Sequence, residues 1–384
     1  MPANSLFASC ATTIFETMSR LAAAHGAVNL GQGFPEGLEP PALVERLLHA
    51  AATGTHQYPS MMGVPALREA VARHERDYWS LAVEPAEVMV TSGATEALAA
   101  CFFGLIEPGD EVVLIEPLYD SYLPIIRRAG GVPRLVRVAP PDWALPRDEV
   151  AAAFTDRTRL LVLNTPANPS GKVYGRDELE FLAGLLERHG AVAVCDEVYE
   201  HLVYDGRRHL PLSGLPGMRG RCLKIGSAGK IFSLTGWKVG WVVAPPDLMA
   251  PVAKAHQYLT FTTPPCLQEA VAWGLDQARE SIEGLACVLA SRRERLARGL
   301  AEVGFDVLPT AGSYFLTADF RPLGLHGSDD AVCRHLTEAA GVAAIPVSAF
   351  YQGGEVDHYA RFCFAKTDTA IDAAVEKLYN FFHK

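Results

Sequence analysis

The chain has 384 residues and a mass of 41.5 kDa, and its 34 Lys and Arg against 44 Asp and Glu give a formal net charge of -10. This acidic balance, without any run of Lys and Arg longer than a pair, lacks the positive footprint that binding to a nucleic-acid backbone requires. Hydrophobic residues make up 49% and charged residues 20%, so the composition predicts a folded protein rather than a disordered one.

The N-terminal segment and the cysteines bear on location and metal binding. The first 26 residues carry Glu16 and Arg20 within their apolar spacing, which excludes a signal peptide, and no run of about 18 apolar residues predicts a membrane span. The eight cysteines contain no C-x-x-C pair, so their spacing predicts neither a metal site nor a disulfide framework. We expect a protein of the cytoplasm that binds neither membranes nor nucleic acids.

The central part of the chain alternates strand and helix patterns. Between the strands lie amphipathic stretches that predict helices over 95–105, 177–188 and 247–258. Because the strand runs are apolar on both faces, they predict an α/β fold with a mostly parallel, mixed sheet covered by helices. The predicted strands are 88–91, 112–115, 160–163, 192–196, 223–226 and 239–244.

The pattern changes beyond about Pro265. The charged region 268–303 is rich in helix pattern and predicts a long connecting helix, and a closing helix is expected near 370–382. Separate strand candidates follow at 314–318, 343–346 and 358–364, which indicate a smaller α+β domain. We therefore expect three parts: an N-terminal segment that belongs to the small domain or acts as a lid, a large domain and a small C-terminal domain. Their predicted ranges are 1–40, 41–275 and 276–384.

The junctions that follow the predicted strands hold unusual residues, and ligands of open parallel sheets bind at this edge. The first junction, SGAT over 92–95, has small residues at a helix N-terminus and suits a phosphate, although an ordinary turn would look similar. The second, NTPANPSGK over 164–172, is rigid and also fits plain turn chemistry.

The other two junctions carry ionisable groups. Asp196 ends an apolar strand and needs a positive or hydrogen-bonding partner, unless it caps the next short helix; Tyr199 follows three residues later. Lys230 follows the strand at 223–226, and Lys238 lies eight residues later, before the next strand. The alternative interpretation is that these are ordinary surface lysines. Together the four junctions supply an amine, a carboxylate, a phenol, an amide and a phosphate cradle, the combination that pyridoxal 5'-phosphate requires.

The motifs SGATEAL, EPLYDSY, NTPANPSGK, CDEVYEH, SAGKIFSLTGWKVGW and RFCFAK occur in this order along the chain. In them the sequence resembles the class I/II pyridoxal phosphate-dependent aminotransferases of fold type I, over essentially its whole length. Within that family it is most similar to the methionine and kynurenine–glutamine branch, and SGAT, YDSY and HQYLTF favour the methionine side. The resemblance implies a large domain with a mostly parallel sheet and a smaller α+β domain.

The resemblance also implies the roles of individual residues. Lys230 would form the Schiff base with the cofactor, Asp196 would keep the pyridine nitrogen protonated, and Asn168 and Tyr199 would bind the phenolate oxygen. Arg361 would bind the substrate carboxylate in a bidentate fork. The further cofactor contacts implied are Gly93, Ala94, Thr95, Tyr119, Ser227, Lys238 and Tyr58, and the further substrate contacts are Gly33, Phe15 and Phe261.

Two departures qualify the resemblance. Lys238 stands where many aminotransferases have Arg, which gives a point charge in place of a fork, as it does in the kynurenine and methionine branch. Ala94 stands where kynurenine-active relatives often have Tyr, so kynurenine is less expected as the main substrate.

The expected activity is ping-pong transamination between an L-amino acid and a 2-oxo acid. Phe15, Phe34, Tyr119 and Phe261 predict an aromatic pocket that favours methionine, aromatic residues or glutamine, although each ring could equally belong to the core. By the same resemblance, Tyr58 and Phe261 would reach the active site of a second subunit, so a homodimer with shared sites is expected. The alternatives are a cysteine-conjugate β-lyase of the same fold and a non-catalytic pyridoxal phosphate-binding regulator, against which Lys230 and Arg361 argue.

Overall fold

The structure is a computed structural model that describes residues 4–353 and 356–383. In this part of the chain there are fourteen α-helices. They are α1 Ser5–Ser9, α2 Ile14–His25, α3 Pro41–Thr53, α4 Pro65–Trp79, α5 Gly93–Leu105, α6 Tyr122–Ala129, α7 Arg147–Ala153, α8 Arg176–His189, α9 Ala228–Ile231, α10 Pro246–Leu259, α11 Pro265–Gln277, α12 Arg279–Val303, α13 Asp329–His335 and α14 Asp368–Phe382.

The same residues form thirteen strands and several short helical turns. The strands are β1 Val28–Asn29, β2 Val88–Thr91, β3 Glu111–Glu116, β4 Val132–Arg137, β5 Thr158–Asn164, β6 Val192–Asp196, β7 Cys222–Ser227, β8 Gly240–Val243, β9 Asp306–Val307, β10 Phe315–Asp319, β11 Val342–Ala343, β12 Ile345–Pro346 and β13 Tyr359–Cys363. The 3-10 turns are Pro85–Glu87, Leu212–Gly214, Arg219–Arg221, Thr235–Trp237, Arg321–Leu323 and Val347–Phe350, and a π-helical turn at Leu336–Ala340 follows α13.

The central sheet has seven strands in the order β2-β8-β7-β6-β5-β3-β4, and β8 runs opposite to the other six, which are parallel to one another. The predicted α/β fold with a mostly parallel, mixed sheet is confirmed. Each of the six strands predicted in this region forms within a residue or two of the expected bounds. The edge strand β4 was not predicted, because its sequence VPRLVR interrupts the apolar run with Pro133 and two arginines; a proline is tolerated at an edge.

Both faces of the central sheet are covered, as parallel strands require. Along β6, Val192 and Val194 enter the core on the side of α5, α6 and α10, whereas Ala193 and Cys195 enter the core on the side of α7 and α8. A further core lies among α4, α11 and the strands β2 and β8. Burial on both faces explains why the sequences of these strands are continuous apolar runs.

The C-terminal region forms an antiparallel sheet in the order β12-β13-β10-β9, with α12 packed on α14. The N-terminal segment joins this region because β1 pairs in parallel with β11. The region 268–303 is helical as expected, and the long connecting helix within it is α12, preceded by the separate helix α11. The chain leaves the helical conformation at Ala278, since α11 packs on α3 and α4 while α12 must turn towards α14. The domain limits at residues 40 and 275 stay predictions.

None of the helices in residues 4–353 and 356–383 combines the length and the apolar character that crossing a membrane demands. All eight cysteines are free thiols.

Candidate active site

The register of three parallel strands brings the predicted junctions together. Asn164 at the end of β5 pairs with Asp196 at the end of β6, and Asp196 pairs with Ile225 two residues before the end of β7. Lys230 follows at once in the short helix α9. The carboxyl ends of β5, β6 and β7 therefore place an amide, a carboxylate and an amine at one edge of the sheet.

A cavity of about 380 Å³ lies at this edge. It is lined by most of the residues that the sequence singles out, namely Gly33, Gly93, Ala94, Thr95, Tyr119, Asn168, Asp196, Tyr199, Ser227, Lys230 and Lys238. Phe34, expected in the aromatic pocket, lines it too. The remaining lining residues are Gln32, Leu98, Asn164, Val198, Gly229, Thr235 and Val239.

Asp196 is a buried carboxylate with one oxygen free. Its Oδ2 accepts a hydrogen bond from the Tyr122 hydroxyl at 2.5 Å, while Oδ1 has no partner within the described residues. Burial raises the pKa of Asp196 above its usual value. A cationic N–H donor from a bound ring would satisfy Oδ1 and offset that desolvation. Sequence reasoning gave Tyr122 no role, although this residue ends the EPLYDSY motif at the start of α6.

Lys230 lies in the wall of the cavity. Its Nζ donates to the Tyr314 hydroxyl at 2.7 Å, and this hydroxyl donates to the Gly33 carbonyl at 2.6 Å. Burial lowers the pKa of Lys230 from 10.5 to about 8, so near neutral pH a far larger fraction is unprotonated and nucleophilic than in an ordinary lysine. Tyr314 was also missed, because nothing in a strand-like run shows which side chain faces a distant lysine.

The N-terminus of α5 forms the cradle expected for a phosphate. Gly93 has a left-handed backbone (φ +77), and a Cβ on it would lie 3.3 Å from Lys238 Nζ. A Cβ on Gly240 would lie 2.8 Å from the Gly93 carbonyl carbon and 2.9 Å from the Ala94 nitrogen. Glycine at both positions lets the backbone amides and the Lys238 ammonium approach one anion.

Arg361 is buried next to the cavity. Its guanidinium donates to Asn168 Oδ1 at 2.8 Å and to the Gly31 carbonyl at 2.6 Å, and it stacks 3.9 Å from the centroid of the Phe315 ring. Burial lowers its pKa from 12.5 to about 10, and it stays cationic near neutral pH. Because Asn168 Oδ1 faces Arg361, the amide nitrogen of Asn168 is left to donate elsewhere.

Besides Arg361, three predicted residues do not line the cavity of this chain. Phe15 lies against the Arg361 guanidinium at 5.1 Å and packs on Phe350. Tyr58 is 83% exposed and its ring packs on Phe261, 5.6 Å between centroids. Tyr58 and Phe261 thus form an exposed aromatic pair outside the cavity of their own chain.

These groups fit pyridoxal 5'-phosphate. The cavity offers a nucleophilic amine in Lys230, an unpartnered carboxylate oxygen in Asp196 and an anion cradle at the start of α5. Burial raises the pKa of Tyr199, so its hydroxyl stays a neutral donor beside the Asn168 amide. Each polar feature of the cofactor therefore has a counterpart among the lining side chains.

The comparisons with known proteins agree with this chemistry. The profile of the family described as aminotransferase class I and II matches residues 25–378. The chain is 45% identical to the probable N-succinyldiaminopimelate aminotransferase of Mycobacterium tuberculosis over 380 residues, 96% of each chain. It is 40% identical to the methionine aminotransferase of Escherichia coli, covering 96% of this chain and 95% of the other. The solved N-succinyldiaminopimelate aminotransferase of Mycobacterium tuberculosis superposes with a TM-score of 0.96 at 45% identity, over 99% of this chain and all of that one (100%).

The glycine cradle can be tested by adding one methyl group. We expect Gly240→Ala to raise the dissociation constant of pyridoxal phosphate at least about tenfold, because the added Cβ displaces the Gly93–Ala94 backbone. Equilibrium dialysis of the cofactor-free protein measures this constant. Gly236→Ala is the matched control, since a Cβ there meets no atom within 4 Å. Equal affinity in both variants would contradict the assignment of the cradle.

The lowered pKa of Lys230 predicts the pH dependence of cofactor loading. Only the neutral amine attacks the cofactor aldehyde, so the loading rate should rise with pH through a midpoint near 8 and level off above it. Stopped-flow absorbance of the lysine-linked cofactor measures the rate. If the rate keeps rising with pH up to the ordinary lysine pKa of 10.5, burial does not lower the pKa of this amine.

Proposed function

Because this chain belongs to the class I and II aminotransferases, it is a pyridoxal phosphate-dependent enzyme acting on amino acids and 2-oxo acids, and we propose that its amino donor is an apolar, aromatic or sulfur-containing L-amino acid. The observation that carries the choice of donor is the aromatic lining around the site. Phe34 and Tyr119 line the cavity, and Phe15, Phe315 and Phe350 surround the Arg361 guanidinium.

The charges near this lining support an uncharged side chain. Lys366 lies 4.3 Å from the Phe34 ring centroid, but its Nζ is paired with Glu36 Oε1 at 2.6 Å. A substrate carrying a second carboxylate would compete with Glu36 for this cation. Methionine, phenylalanine or a similar side chain would pack on the aromatic lining and leave that pair intact.

Each polar residue has a defined part in the proposed reaction. When bound, pyridoxal phosphate supplies an electrophilic carbon for the amino group and a ring that withdraws electrons from the substrate Cα. Arg361 binds the α-carboxylate and so fixes the direction of the Cα–H bond. Lys230 Nζ takes the proton from Cα as a general base, and Tyr314 holds Nζ in place while the amine is free. Asp196 Oδ1 holds a proton on the ring nitrogen.

A second candidate donor is N-succinyldiaminopimelate. The relative that bears this name is 45% identical over 96% of the chain, the highest identity among the curated relatives named above. This substrate has further carboxylates at the far end of its side chain. Its recognition would require the Lys366–Glu36 pair to open, or polar groups outside the aromatic lining.

A panel of donors separates these candidates. We expect L-methionine and L-phenylalanine to bleach the visible band of the lysine-linked cofactor and to give kcat/KM at least about tenfold above L-aspartate, because the aromatic lining leaves a charged side chain unpaired. Lys230→Ala should not respond to any donor. A preference for N-succinyl-LL-2,6-diaminopimelate would replace the apolar assignment, and pyruvate release from a β-chloro amino acid would reveal elimination as the main reaction.

We propose further that the enzyme is a homodimer with shared sites. Tyr58 and Tyr258 are each 83% exposed, and Phe103, Leu259 and Phe261 expose between 39% and 43% of their surface. Such large exposed rings are unusual unless a partner covers them. The pair Tyr58–Phe261 would complete the cavity of the second subunit.

Mixed dimers test whether Tyr58 acts across the interface. Tyr58→Ala and Lys230→Ala homodimers should both be weakly active or inactive. After the two proteins are denatured and refolded together, a hybrid carries one complete site, so activity should reappear. Sedimentation confirms that dimers form in each preparation. If the mixture stays as inactive as its parents, Tyr58 serves the site of its own chain or none.

A further inference from the structure

A second cluster of ionisable side chains lies behind the active-site edge, between α4 and the strands β6 and β7. The segment that follows β6 supplies Glu197, Glu200 and His201, α4 supplies His74 and Glu75, and β7 supplies Lys224. His209 completes the cluster by bonding Glu197 Oε2 through Nε2 at 2.7 Å. None of these groups has a part in the proposed transamination.

The cluster holds more negative than positive charge. The Glu75, Glu197 and Glu200 side chains are fully buried, and the one ammonium among them is Lys224. Lys224 Nζ donates to Glu75 at 2.6 and 2.8 Å and also to Glu200. Three carboxylates against one ammonium leave two negative charges if the imidazoles are neutral. Buried charge of this size needs a compensating cation or protons.

Three atoms of the cluster are spaced as metal ligands. His74 Nε2 lies 3.0 Å from His201 Nε2 and 3.6 Å from Glu200 Oε1. The Zn–N and Zn–O bonds of tetrahedral sites, about 2.0–2.2 Å, put neighbouring ligand atoms about 3.3–3.5 Å apart. Glu200 Oε1 is buried and finds no hydrogen-bond partner among residues 4–353 and 356–383. A small cation between these three atoms would bind that oxygen.

We propose that His74, Glu200 and His201 form a binding site for one divalent transition-metal ion, for which Zn²⁺ is the best match. Two imidazoles and one carboxylate are typical zinc ligands and leave the fourth position to water. The two positive charges balance the excess of the buried carboxylates. His209 lies outside this set of three and bonds Glu197 Oε2 through Nε2.

The surroundings of the three ligands suit a metal ion. Tyr78 packs on both imidazoles, with ring centroids 4.8 Å from His74 and 4.7 Å from His201, and Trp79 packs on His201 at 5.3 Å. These rings hold the imidazoles in place.

A cavity of about 370 Å³, lined in part by His74, Asp77, Tyr78 and Asp276, lies next to the proposed ligand His74, whose side chain is itself fully buried. The proton now shared between the two Nε2 atoms can pass to His74 Nδ1, which has no partner in the part of the chain that the structure describes. Both Nε2 lone pairs then face the ion.

Zinc uptake by the cofactor-loaded enzyme tests the proposal. After removal of metals with a chelator, we expect wild type to take up one Zn²⁺ per chain, measured by elemental analysis after dialysis, and to melt at a higher temperature with the ion. His74→Gln and His201→Gln should each weaken the affinity for Zn²⁺ by more than about 100-fold, because each removes a ligand. Loss of an outer-shell partner costs only roughly 10- to 100-fold. His326→Gln, at an exposed position, is the matched control and should bind as wild type does.

Absorption spectra distinguish the loss of metal binding from the loss of folding. Co²⁺ bound to wild type should give the visible bands of a four-coordinate site without the charge-transfer band of a thiolate, because no cysteine is among the ligands. The cofactor band reports whether each variant keeps its fold. The proposal is overturned if wild type takes up no ion, if both histidine variants bind as the control does, or if the cobalt spectrum shows thiolate ligation. In that case protonated imidazoles balance the buried carboxylates.

Discussion

The buried carboxylate of Asp196 is the constraint on which the site depends. Removing a carboxylate from water costs several kcal/mol, and the Tyr122 hydroxyl satisfies only one of its two oxygens. A cationic donor in the cavity would bond the other oxygen and offset this cost. The parallel register of β5, β6 and β7 fixes where that donor must lie, since Asn164, Asp196 and Ile225 are paired across the strands.

The residues at and just after the end of β6 contribute both to the cavity and to the ionic cluster. Asp196 and Tyr199 line the cavity, whereas Glu197, Glu200 and His201 belong to the ionic cluster behind it. The segment is rigid, because the Glu197 amide bonds the Ile225 carbonyl on β7 and the Glu200 amide bonds the Glu197 carbonyl. Because the segment is rigid, neutralising the charge of the cluster also stabilises the position of Tyr199, whether an ion or protons provide the positive charge.

The arginine that we propose to bind the substrate carboxylate is held in place by the protein itself. Arg361 is bonded to Asn168 and to the Gly31 carbonyl, and aromatic rings cover its guanidinium. The same bond orients the amide of Asn168, so one side chain links the substrate site to the cofactor site. Such preorganisation lowers the entropic cost of aligning the substrate Cα.

The amino-acid sequence by itself determined the class of the central fold and most residues of the cavity. Apolar runs predicted six strands, and the residues that follow them, such as Lys230 and Asp196, meet at one edge because the ends of parallel strands coincide. Periodicity could not show the break at Ala278 or the edge strand β4, since both depend on what packs against the chain. Tertiary structure alone decided the contacts made by Tyr122 and Tyr314. It also brought together His74 and His201, which lie 127 residues apart in sequence, because the spacing of a motif carries no information about side chains that meet only after folding.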